Sequence, residues 1–326
     1  MKDDVLSFLS ARFGVTAKPV AFPGGLRRKT ALYQVGDRTV VVSRRSSVAR
    51  AALEARVLRA LEPEGIAPRL LVQDGVWIVQ ERVEGNRLPV VLDARPDEAQ
   101  DLMARAWTAL VTAQDRLKAA GLADHAPALG TRPEWQSRLA DAPRHLASLL
   151  DMPVPDYSFG DALSVAPGLV GPIKWDARPG NALMRPDGKV CWFDWEHAGV
   201  RNRTDDAAWF FTDEWSPDAP DVRATAIDDL AQRSGVAASE TGRRVNALSV
   251  AHACVRLLMV YDLKGDGPWW PRARCLAEDR VGVTAEAASR LASRAALGAG
   301  SVAGLEPLVP FFETLANGPD VAISKA

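Results

Sequence analysis

Hydrophobic positions along this chain follow two different periods. As far as residue 80 they come in short strand-like runs, at 30–35, 39–43, 66–72 and 76–80, with turns at Gly36-Asp37 and Asp74-Gly75. Two helical patterns interrupt them. One covers 4–13, with Val5, Phe8 and Leu9 on a common side; the other covers 47–61. In the second, Val57, Leu58 and Leu61 follow Glu54 by three, four and seven residues, so Glu54 shares their apolar face. A carboxylate placed there needs a cation or a route to water. Beyond residue 88 the helical period dominates, at 96–120, 134–150, from 205 onward, 241–263 (with Met259 on its buried side), 284–297 and 305–316. Residues 153–172 are irregular and rich in Pro and Gly. The pattern predicts an α+β protein. A small antiparallel-sheet lobe with one main helix spans 1–85, and a larger, mostly helical lobe spans 86–326.

Composition narrows the class only slightly. Apolar residues make up 47% and charged residues 25%, with a net charge of −1, which gives no case for nucleic acid or a membrane surface as partner. No apolar run approaches the roughly 20 residues needed to span a bilayer. Cys191, Cys254 and Cys275 are widely spaced and odd in number, so neither a disulfide framework nor a zinc site is expected, and a reducing cytoplasm is the default setting.

The chemistry concentrates in residues 174–196, KWDARPGNALMRPDGKVCWFDWE. Arg185-Pro186-Asp187-Gly188 has the composition of a tight type I turn, with strand-like residues on both sides. Folding the hairpin about that turn sets Met184 opposite Lys189 and Asn181 near Trp192. Asn181 then comes close to the level of Asp194, with Asp176 a short loop away. Two carboxylates and an amide suit a magnesium ion held together with substrate phosphates.

Asp176-Ala177-Arg178-Pro179-Gly180-Asn181, followed by Asp194-Trp195-Glu196, resembles the catalytic and metal motifs of the aminoglycoside phosphotransferase family, part of the protein-kinase-like superfamily. Lys174 and Trp175 depart from it, standing where that family usually has His-Gly. The resemblance implies a two-lobed protein-kinase-like fold, ATP as phosphate donor and Mg2+ as cofactor. Asp176 would orient and deprotonate an acceptor hydroxyl, Arg178 would neutralise the transferred group, and Asn181 and Asp194 would hold the metal. Glu54 would pair with a strand cation gripping the nucleotide phosphates. No Lys occupies that strand, and strand parity leaves Arg44 and Arg45 both open. Gly24 and Gly25 would bring backbone amides to the phosphates, while Gln80, Glu81 and Val83 would form the hinge at the adenine edge. Asp206 would steady the catalytic loop. Asp213, Glu214 and Trp215 lie in an acidic stretch, 205–229, whose one base is Arg223. As acceptor-pocket residues they would favour a cationic small molecule such as an aminoglycoside. An amino sugar, sugar or choline-like metabolite is the alternative acceptor, and a catalytically impaired binding module the alternative function.

Overall fold

The computed structural model describes residues 2–20 and 30–320; Gly24 and Gly25 lie outside them. The first lobe holds α1 (Lys2–Phe13), β1 (Ala17–Val20), β2 (Thr30–Val35), β3 (Arg38–Arg44), α2 (Val48–Leu61), β4 (Leu70–Asp74) and β5 (Trp77–Glu81). Its five strands form an antiparallel sheet in the order β1-β2-β3-β5-β4. Strand alternation divides the sheet between two cores. Val40, Val42 and Val79 pack with Val5 and Leu9 of α1, whereas Ile78 faces the apolar side of α2. Ser47 starts α2 by accepting a hydrogen bond from the Arg50 amide at 3.2 Å, an ordinary N-cap.

Residues 82–85 lead to β6 (Asn86–Arg87), α3 (Leu88–Ala94) and the long α4 (Ala99–Ala119). Next come α5 (Pro133–Ala140), α6 (Ala142–Leu149), β7 (Val170–Ile173), β8 (Ala182–Met184), β9 (Val190–Trp192) and β10 (Gly199–Asn202). The remainder is helical: α7 (Thr204–Thr212), α8 (Pro220–Ser234), α9 (Ala238–Lys264), α10 (Arg272–Ala277), α11 (Ala285–Ala299) and α12 (Val309–Asn317). Small sheets β6-β8-β9 and β7-β10 carry the loops of interest. One apolar cluster runs from α2 through Leu88 and Trp107 to Trp192, Trp195 and Phe210, so the two lobes share a core beneath the cleft. A second cluster joins α6, α9, α11 and α12. Among the described residues no helix is long and apolar enough to cross a membrane. Cys191, Cys254 and Cys275 are free and buried.

Four expectations are corrected. The helix expected over 134–150 is two, broken at Asp141, because Pro143 has no N–H for the preceding turn. The strand expected over 66–72 begins only at Leu70, beyond Pro68, and carries an irregularity between Leu70 and Val72. Met259 is exposed. The hairpin pairs Ala182 with Trp192 and Met184 with Val190, one residue off the expected register. Arg185 pairs with Lys189 (2.9 Å), closing a three-residue loop in which Gly188 adopts φ 79°. A tight type I turn would leave a two-residue loop, and the left-handed Gly188 adds the extra residue.

Gly85 lies where the inter-lobe linker crosses the hairpin. Its φ is 146°, and a Cβ there would collide with the Met184 carbonyl. Gly85→Ala is therefore expected to destabilise the protein by about 2 kcal/mol or more, read by urea denaturation.

Candidate active site

Pro179 sets a single 3-10 turn, Pro179–Asn181, between β7 and β8. Arg178 before it is held extended, as residues preceding proline are. The turn brings Asn181 back onto Asp176: the Asn181 amide Nδ2 donates to the Asp176 carbonyl at 3.0 Å and to its Oδ2 at 2.8 Å. Arg178 Nε donates to Asp176 Oδ1 at 2.6 Å, and Nη2 reaches Oδ2 at 3.3 Å. Burial alone would raise the Asp176 pKa. The Arg178 guanidinium, the Lys174 ammonium and the Asn181 amide overcome that and hold it well below the usual carboxylate range. Arg87 donates to the Gly180 carbonyl at 2.9 and 3.2 Å, tying the turn to the linker strand.

On the other arm of the hairpin, the Phe193 amide donates to the Asn181 carbonyl at 2.9 Å and carries the chain to Asp194. Asp194 adopts φ 57°, unusual for a residue with a side chain. The structure thus bonds Asn181 to Asp176 and ties Phe193, the residue before Asp194, to Asn181. Because Nδ2 of Asn181 is committed to Asp176, its amide oxygen is the atom left to face a cation. Among the described residues no group of three His, Cys, Asp or Glu could hold a metal by itself. Two hard oxygen groups nonetheless fit magnesium, which takes one or two protein ligands and completes its shell with phosphates and water.

Above this pair, the structure decides between the two arginines. Arg45 makes a two-pronged ion pair with Glu54, with Nη2 to Oε1 at 2.6 Å; both side chains are buried. The same guanidinium lies 3.5 Å from Asp194 and 3.4 Å from Glu196. Arg44 shares the parity of Val40 and Val42 and turns to the opposite face, where it is exposed and lies 5.9 Å from the Trp77 ring. Arg44 is therefore corrected as a candidate partner of Glu54. Arg50, one turn before Glu54, donates to the Glu196 carbonyl at 2.8 Å, so α2 holds the Asp194 loop directly here and through Arg45 at Glu54. Gln80 and Glu81 close β5, with Gln80 buried, and Val83 lies in the linker that follows.

Asp206, on the first turn of α7, underlies the whole arrangement. One carboxylate oxygen accepts from the Trp175 amide (2.8 Å); the other accepts from the Lys174 amide and Gln114 Nε2 (both 2.8 Å). Burial raises the Asp206 pKa and these donors oppose the rise. They also hold Trp175 at φ 75°, with its ring 5.1 Å from Trp135.

The acidic stretch after the hairpin is differently disposed from the expectation. Asp205 pairs with Arg201, Asp218 with Arg294, and Asp229 with Arg233. Glu214 is fully buried, bound to Arg256 (Nε to Oε2 at 2.8 Å) and to the Gly282 amide. Trp215 is buried beneath Arg272. Asp213 is buried as well, with Oδ1 accepting from the Trp215 amide and Oδ2 lacking a hydrogen-bond partner. Burial, then the Glu214 charge, push Asp213 up to about 7. His252, on α9, is kept neutral by burial and stacks on Trp209 at 4.0 Å, a core histidine.

A five-stranded antiparallel sheet with one gripping helix, joined by a linker to a helical lobe carrying this hairpin, is a two-lobed protein-kinase-like fold. Solved structures similar to the chain bear this out. They include a protein from Ralstonia eutropha JMP134 assigned as an aminoglycoside phosphotransferase (17% identity, TM-score 0.53, covering 86% of this chain and 96% of that one). A choline kinase from Cryptosporidium parvum Iowa II gives 11% identity and a TM-score of 0.51, over 90% and 94% of the two chains. Spectinomycin phosphotransferase, solved with ADP and spectinomycin, gives 10% and 0.50 over 78% and 86%. No family model matches the chain, and no curated protein matches it in sequence.

Two outcomes are expected. Arg45→Met strands the buried Glu54 charge and should cost about 3 kcal/mol or more, whereas Arg44→Met should stay within about 0.5 kcal/mol, both by chemical denaturation. The fold favours protonated Asp213, so the stability this group contributes is full in acid and is lost as pH rises through about 7. Between about pH 5.5 and about pH 8.5 the wild type should lose roughly 1–2 kcal/mol more stability than Asp213→Asn.

Proposed function

We propose that the protein is an ATP-dependent small-molecule kinase that transfers the γ-phosphate to an acceptor hydroxyl. The observation that carries this is that Asn181 is bonded to Asp176, that Lys174 joins the Asp176 and Asp194 loops, and that the Arg45–Glu54 pair reaches Asp194. Asn181 and Asp194 would hold magnesium, which when bound neutralises phosphate charge and fixes the phosphates. Arg45 takes the place of the absent strand Lys and presents a guanidinium, always protonated, at the same carboxylate. That substitution speaks for a working phosphate site rather than an impaired binding module. Asp176 receives the acceptor hydroxyl. Strong ionisation makes it a weak base, so its main contribution is orientation, with the proton passing late in a loose transition state. Arg178, locked to Asp176, places positive charge where the transferred group becomes exposed.

Support for ATP as donor is the ADP held by the similar spectinomycin phosphotransferase. Acceptors named for the similar proteins include spectinomycin and choline. A second reading, an uncharged or singly charged metabolite instead of a polycationic antibiotic, is favoured by the arginine partners of Asp205, Glu214, Asp218 and Asp229. With those charges neutralised locally, little long-range field remains to draw a polycation.

The test is ADP release with Mg-ATP across a panel of aminoglycoside, amino-alcohol and sugar acceptors. Asp194→Ala should lower turnover by at least about 100-fold. Asp176→Asn should lower kcat by about 100-fold or more while nucleotide affinity stays nearly unchanged. A panel with no acceptor-dependent ADP release would remove the kinase reading.

A further inference from the structure

Lys174 replaces the histidine of the motif it resembles, and its side chain is wholly buried. Its Nζ donates to the Asp176 carbonyl at 3.1 Å and to the Asp194 carbonyl at 2.8 Å. The ammonium also lies 5.3 Å from the ring of Trp195, the residue after Asp194. One cation therefore spans the two loops that carry the hydroxyl-orienting and metal-facing carboxylates. Its main chain is fixed independently by the hydrogen bond its backbone N–H donates to the Asp206 carboxylate. Among the described residues the loops have no other short cross-connection at this level besides the Phe193–Asn181 bond.

We propose that Lys174 is a positioning residue whose buried ammonium clamps the carbonyls of Asp176 and Asp194 and thereby sets the separation of their carboxylates. The proposal rests on the kinase reading for its consequence, not for its geometry. Asp194 sits at φ 57°, a conformation in which its carbonyl turns inward onto Lys174 while its carboxylate points outward to Arg45. Without the inward bond, nothing charged holds that carbonyl, and the left-handed residue is free to relax toward ordinary backbone angles. The carboxylate would then swing with it. A histidine could not reproduce this contact pattern, because neutral imidazole offers a single N–H, whereas the ammonium serves both carbonyls at once.

Two readouts test the clamp: Mg-ADP affinity by calorimetry, and amide hydrogen exchange over residues 194–197, both on full-length protein. In Lys174→Met, with thermal unfolding confirming a folded chain, Mg-ADP affinity should fall by about 10-fold or more. Exchange should quicken locally over 194–197 by a similar factor, about 10-fold. Lys174→Gln keeps two N–H donors without the charge and should lie between wild type and Met. Wild-type affinity and exchange in the folded Met variant would overturn the proposal. Should the Met variant not fold, the Gln variant decides. A local exchange increase supports the clamp; an unchanged 194–197 segment, or an increase spread evenly over the helical lobe, overturns it. If wild type fails to bind Mg-ADP while local exchange still quickens in the variant, the clamp stands and the kinase reading falls.

Discussion

A carboxylate on the apolar face of α2 can remain charged only if a cation comes to it, and Arg45 does so from the end of β3. That pair fixes more than the small lobe. The guanidinium has planar donors on several edges, and after satisfying Glu54 it still reaches Asp194 and Glu196. The helix, the central strand of the sheet and the hairpin of the larger lobe are thus referred to one side chain. Removing a partner from a buried pair is costly because the remaining charge has no water to turn to. The position of α2 and the position of Asp194 are for that reason coupled energetically as well as geometrically.

From below, the hairpin is held by a chain of polar contacts that starts in the core. Gln114 of α4 and Asp206 of α7 meet out of reach of solvent. Asp206 passes the constraint to the backbone of Lys174 and Trp175, and Lys174 passes it to Asp176 and Asp194. Two residues with side chains, Trp175 and Asp194, are kept at positive φ, each costing of order 1–3 kcal/mol. Hydrogen bonds to charged groups contribute roughly 1.5–3 kcal/mol apiece, so the network offsets the strain it imposes. On the proposed reading, this backbone strain adjoins the carboxylates that would face the ligand.

Much of this was legible in the sequence. Period-two and period-3.6 patterns located the strands and most helices, and the Asp176, Asn181 and Asp194 spacing placed the trio. The apolar spacing around Glu54 demanded a cation. Parity left the choice of arginine open because it assigns Arg44 and Arg45 to opposite faces of the sheet without saying which face α2 covers. Other features were missed for identifiable reasons. The helix α8 was masked by its acids, although Pro220 at its start and Gly235 at φ 67° after its end are ordinary helix signals. Lys174 was legible as a departure from a motif but not as a cross-link, since its two acceptors are carbonyls and carbonyls have no sequence signature.

The acidic stretch shows why a run of like charges is a poor guide to a binding surface. A linear count registers every acid from Asp205 to Asp229, but the field at the cleft depends on which acids remain uncompensated after folding. Arg201, four residues before Asp205, takes up that acid, whereas Arg256 and Arg294 come from distant parts of the chain to take up Glu214 and Asp218. Asp206 faces backbone amides, and Asp213 is driven toward its neutral form. Near Arg178 and Asp176 the residual charge is therefore small, in surroundings of low polarisability where each hydrogen bond is stronger than in water. On the proposed kinase reading, such a site would discriminate by the geometry of its donors and acceptors rather than by attraction from afar, and an acceptor would be selected by how its hydroxyl seats on Asp176.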